Sequence, residues 1–61
     1  MKATTFIHQL PQQTQDAIRK DVETYLKSEG FSGQELQESL ENAMNSRLAD
    51  LEEGIDISKY L

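Results

Sequence analysis

The sequence predicts an all-α fold, a helical hairpin with short terminal segments packed on it, and three observations carry that reading. Apolar residues recur at three-to-four spacing over two stretches, residues 11–29 and 33–53. Gly30 stands between the stretches with Phe31 behind it. Ser32 and Glu35 follow in the Ser-x-x-Glu spacing of a helix start. Two independent signals, one for a stop and one for a start, therefore fall within a few residues of each other. With 61 residues, the whole chain, 1–61, reads as a single small domain.

In the first helix, Leu10, Thr14, Ile18, Val22, Tyr25 and Leu26 share one face. Pro11 suits the first helical position, where its missing N–H has no partner to lose. Asp16 lies early and Lys27 late, as the helix dipole prefers. At the turn, Gly30 can take the left-handed conformation of a helix end, with Phe31 packing back on Leu26. Ser32 is the expected N-cap and Glu35 its reciprocal partner. Phe31 before the cap and Leu36 after it have staple spacing, so one ring is expected to clamp both helices. The stripe of the second helix is Leu36, Leu40, Ala43, Met44, Leu48 and Leu51, and Gly54 is expected to end it as Gly30 ends the first.

The ends are expected to fold onto the hairpin. Thr4 or Thr5 can cap a single turn carrying Phe6, Ile7 and Leu10. The stretch from Ile55 to Leu61 is too apolar for a free tail. It reads either as extended, with Ile55 and Ile57 alternating, or as a last turn capped by Asp56. A domain this small buries only about 60% of the surface its unfolded chain exposes. Two helices alone leave too much of the stripe in water. Either the terminal segments cover it, or a second copy does, and a dimer would pair two hairpins in a four-helix arrangement.

Eleven acidic residues against six basic ones give a net charge of −5. That balance argues against nucleic acid, whose binders need a basic footprint, and against anionic membrane surfaces. There is no cysteine, hence no disulfide or thiolate metal site. No apolar run has membrane-spanning length, and the opening residues Met1 to Thr5 lack the features of a signal peptide, so the expected location is cytoplasmic.

No catalytic constellation can be assembled, and no enzyme, cofactor or metal is expected. His8 is the sole histidine and has no partner in sequence. The serines sit in no nucleophile motif. Asp50, Glu52, Glu53 and Asp56 cluster, but without the ligand spacing of a calcium loop. Gly30 and Gly33 lack the lysine and preceding strand of a phosphate loop. A DNA-reading second helix is excluded by Glu35, Glu38 and Glu41, which would face phosphates.

Arg47 breaks its local pattern. On a helix it would project inside the apolar stripe, between Ala43, Met44, Leu48 and Leu51. Three readings compete: a stem laid over the core with its head in water, a pair with Asp21 or Asp56, or contact with a partner protein.

The stretch Arg47-Leu48-Ala49-Asp50-Leu51-Glu52-Glu53-Gly54-Ile55-Asp56-Ile57-Ser58 resembles the later part of some bacterial antitoxins. There a helix ends in an acidic-glycine turn and an isoleucine-serine pair follows. The resemblance spans about a fifth of the chain, and the DNA-binding region such antitoxins carry upstream has no counterpart here. It implies a protein that neutralises a partner. The expected function is a non-enzymatic interaction module, binding another protein or itself, with Arg47, Ile55, Ile57, Tyr60 and Leu61 as candidate contact residues. The alternative is an inhibitor or antitoxin-like protein that neutralises a basic target, in the manner of a nucleic-acid mimic.

Overall fold

The computed structural model describes residues 2–61. In chain order it has a 3₁₀ turn at Ile7–Gln9, helix α1 at Gln12–Ser28, helix α2 at Gly33–Met44, and 3₁₀ turns at Leu48–Leu51 and Ser58–Tyr60. The fold is a helical hairpin, α1 against α2, with the terminal segments packed on it. Among the described residues there is no strand; one isolated antiparallel bridge joins Phe6 to Arg47.

Pro11 sits one residue ahead of α1, with an extended ψ of 147°. The Gln15 side chain reaches back to the carbonyls of Leu10 (2.8 Å) and His8 (3.2 Å), and so fastens the first turn to α1. Neither Thr4 nor Thr5 caps that turn: Phe6 occupies its N-cap without a side-chain bond.

α1 ends as its glycine predicts. Gly30 has φ +95°, and its N–H donates to the Lys27 carbonyl (3.1 Å). The Phe31 N–H donates to Leu26 (3.0 Å), which completes a Schellman motif. The start of α2 differs from expectation. Ser32 is at the N-cap, but its side chain makes no capping bond. Gly33 has φ +57° at the first helical position, where a capping box needs helical angles. Phe31 is half-buried against the core. Phe31→Ala is therefore expected to lose about 1–2 kcal/mol, less than a fully buried ring would. Urea unfolding checks this, and a loss below about 0.5 kcal/mol would remove the ring from the packing.

The second helix is shorter than its stripe suggests. It stops at Met44, nine residues before the expected end at 53. Ser46 Oγ donates to the Ala43 carbonyl (2.6 Å), and the chain then leaves the helix to meet the N-terminal segment. Leu48 N–H donates to Thr5 (3.0 Å) and Ala49 N–H to Ala3 (2.7 Å), while Ile7 N–H donates to Ser46 (3.1 Å). The break exchanges a few helical bonds for bonds that satisfy a second segment. It also turns Leu48 and Leu51 back onto the hairpin.

The core holds Ile7 and Leu10 from the N-terminal segment, Ile18, Val22 and Leu26 from α1, Leu36, Leu40 and Met44 from α2, and Leu48, Leu51 and Ile57 from beyond it. Nearly half of it comes from outside the two helices. A radius of gyration of 10.9 Å is that of a compact chain of this length, about 10.5 Å. The terminal segments thus supply the cover that the hairpin lacks, and the core closes within one chain.

Candidate partner-binding surface

Past Leu51 the chain makes a tight turn in which Gly54 N–H and Ile55 N–H both donate to the Leu51 carbonyl, each at 3.0 Å. The turn slides Gly54 beneath the ring of Tyr25. A Cβ at residue 54 would lie 2.6 Å from Tyr25 Cε2, so glycine is needed for close approach. Its φ is not positive, and it ends no helix. The expected helix-ending role for Gly54 is thereby replaced by a packing role.

Tyr25 over Gly54 forms one wall of an open groove of about 180 Å³. Val22, Leu26, Ala43, Leu51 and Ile55 give it an apolar lining, and Asp50 and Glu53 bring carboxylates to it. The Glu29 charge, burial, a hydrogen bond with Glu29 and the Glu53 charge, in that order, push the Tyr25 phenol up. Gly54→Ala is expected to lose about 1–3 kcal/mol by overpacking against the ring. The loss should shrink in a Tyr25→Leu background. Equal losses in both backgrounds, read by thermal unfolding, would disconnect Gly54 from Tyr25.

Ile55 also lines a second groove, of about 280 Å³, with Ala3, Ile57, Leu61, Glu52 and Asp56. Leu61 is the large apolar residue left exposed here, at 55%. Four carboxylates, Asp50, Glu52, Glu53 and Asp56, therefore lie along two apolar depressions that share Ile55. No lysine or arginine lines either one.

The C-terminal turn closes the second groove. The segment ends in a short turn rather than extended, but Ile57 holds its N-cap without a side-chain bond; Asp56 stands one residue earlier, where its Oδ1 accepts from Ser58 N–H (3.0 Å) and Ser58 Oγ (2.6 Å). Lys59 Nζ lies 2.6 Å from Asp21 Oδ2, and the Tyr60 hydroxyl donates to the same oxygen. These two bonds hold the Asp21 carboxyl below its ordinary range, chiefly through Lys59. The Ser58 bonds do the same for Asp56. Burial, followed by the Asp21 bond, pushes the Tyr60 phenol up. A carboxylate whose pKa is lowered by folding stabilises the fold above its unfolded pKa, ~4, and that contribution is lost as pH falls through the lowered value. The C-terminal turn is therefore expected to loosen below about pH 4. Amide exchange at Tyr60 and Leu61 measures it, and Asp21→Asn should loosen the turn already at neutral pH. Protection unchanged down to pH ~2 would remove the clasp.

Arg47 lies outside any helix, so the helical-wheel placement inside the stripe does not apply. Its side chain is exposed, with the guanidinium 4.8 Å from the centre of the Phe6 ring. Its backbone N–H donates to Asp50 Oδ2 (3.0 Å). It pairs with neither Asp21 nor Asp56, since Asp21 is held by Lys59 and Tyr60 and Asp56 by Ser58. His8 stacks on the other member of this cluster, Phe6, at 5.6 Å between ring centres.

Of the candidate contact residues, Ile57 is in the core and Tyr60 is half-buried against Asp21. Ile55, half-buried, and Leu61, exposed, share the second groove, and Arg47 stands apart on Phe6. The groove wall of Tyr25 and Gly54 was not anticipated. Its one sequence signal is a glycine among carboxylates, which also fits a helix end. Among the described residues, no group of three or more His, Asp or Glu is placed to hold a metal ion, and no helix is long and apolar enough to cross a membrane. No protein-family model, curated protein or solved structure matches the chain.

Proposed function

We propose that this chain is a non-enzymatic protein-binding module that meets its partner with the surface around Ile55 and Leu61. The observation that carries the reading is the pair of apolar depressions sharing Ile55, at the edge of a core that is already closed. Small pockets bordered by polar groups are where the anchor side chains of a partner seat. The carboxylates beside it favour a basic target, as an inhibitor or antitoxin-like protein would have.

A photo-crosslinking residue placed at Leu61 in the native cell tests the proposal, with the same residue at Gln13, an exposed position at the opposite end of α1, as control. A discrete adduct from Leu61 and none from Gln13 is the expected result. Equal labelling from both positions, or none from either, would overturn it. Self-association is separated by sedimentation: an adduct of twice the chain mass, with a solution mass that rises above 7.0 kDa on concentration, would make the partner a second copy.

A further inference from the structure

We infer that the Tyr25–Gly54 groove receives one apolar side chain of a cationic amphipathic segment of the partner, with flanking lysines or arginines against Asp50 and Glu53. The inference rests on the interaction-module reading and adds the chemistry of the occupant. A cavity of about 150 Å³ lined by apolar side chains holds a benzene ring. The groove here, about 180 Å³ with Val22, Leu26 and Leu51 in its lining, is of the size for one leucine or phenylalanine.

Charge decides what can flank that side chain. Asp50 and Glu53 line the groove, and Glu29 acts on the Tyr25 phenol at its wall. Neighbouring lysines do not neutralise this field, because Lys27 pairs with Glu23 (3.0 Å) and Lys59 with Asp21 (2.6 Å). An incoming acidic segment would meet repulsion on both sides of its anchor, and a cationic one attraction.

The acidic surface along α2 lacks the second requirement. Along α2 the shallow depression formed by Gln37, Glu38, Glu41 and Asn42 has carboxylates but no apolar side chain in its lining. It can attract a cation without seating an anchor. The Tyr25–Gly54 groove combines both, as does the adjoining groove of Ile57 and Leu61 with Glu52 and Asp56; only the first has the Tyr25 ring as a wall.

The test is a titration of the isotope-labelled protein with a synthetic helical peptide of leucines at three-to-four spacing and lysines elsewhere, followed by amide shifts. A second peptide carries glutamates in place of the lysines. The lysine peptide is expected to shift Tyr25, Gly54 and Ile55, and to bind about tenfold more weakly when salt rises from ~0.01 to ~0.15 M. Glu53→Lys, at an exposed position, should weaken it about tenfold, whereas Glu38→Lys on α2 should leave affinity within about twofold. Shifts centred on Glu38 and Glu41, equal binding of the glutamate peptide, or no binding would each overturn the inference. A crosslinked cellular partner at Leu61 alongside no peptide binding would leave the module reading standing and remove the cationic occupant.

Discussion

Leu48→Ala is expected to lose about 3–5 kcal/mol and to leave most of the chain unfolded at room temperature. Leu48 is fully buried, although it lies beyond the hairpin in a single turn of 3₁₀ helix. Its backbone N–H is bonded to Thr5, so the same residue anchors both terminal segments. A core of this size supplies only about 3–5 kcal/mol of net stability, and one leucine is a large share of that. Far-UV circular dichroism and urea titration measure the outcome. Leu61→Ala is the control, expected within about 0.5 kcal/mol because the side chain is largely in water. A loss below about 1 kcal/mol for Leu48→Ala would mean that the hairpin folds without this segment.

Ile57→Ala is the second large effect, at about 2–4 kcal/mol. Ile57 is 6% exposed and belongs to the same cluster as the helices. The prediction separates two kinds of C-terminus. If the segment is part of one cooperative core, the variant lowers the unfolding midpoint with an unchanged denaturant slope. If it is an appended turn, only local amide exchange near residues 55–61 rises and global unfolding stays put. The second outcome would also weaken the second groove as a docking surface, since Ile57 lines it.

Arg47 shows how much was legible and where reading stopped. A charge inside an apolar stripe conflicted with a helix running to residue 53. The conflict was real, and its resolution is that the helix ends before it. The weak helix formers Asn45 and Ser46 precede the arginine and mark the break. The stripe itself misled, because Leu48 and Leu51 keep three-residue spacing in the 3₁₀ turn and still face the core. Periodicity identified those buried residues correctly while assigning them to the wrong element. Gly54 is a similar case. A glycine after an apolar run reads as a helix end, and only the approach of Tyr25, distant in sequence, shows what it is for. For the docking surface, Ile55 and Leu61 were visible as apolar residues too many for a tail, but their neighbours in the grooves come from α1, α2 and the N-terminus.

Local chemistry in the sequence determined the hairpin. The stripe of α1, the left-handed Gly30 and the bond pattern from Phe31 back to Leu26 are short-range events, complete within a few residues. The sequence also determined which large side chains are inside, since burial follows spacing whatever helix carries it. The tertiary structure decided where α2 stops. Residues 46–49 can bond along their own helix or across to residues 3–7, and the weak helix preference of Asn45 and Ser46 permits the break without forcing it. The choice falls to the N-terminal segment, whose backbone needs partners and whose Ile7 and Leu10 need cover. The grooves beside Ile55 follow from that choice, because the chain that leaves α2 early makes its next turn past Leu51, and that turn carries Gly54 under Tyr25.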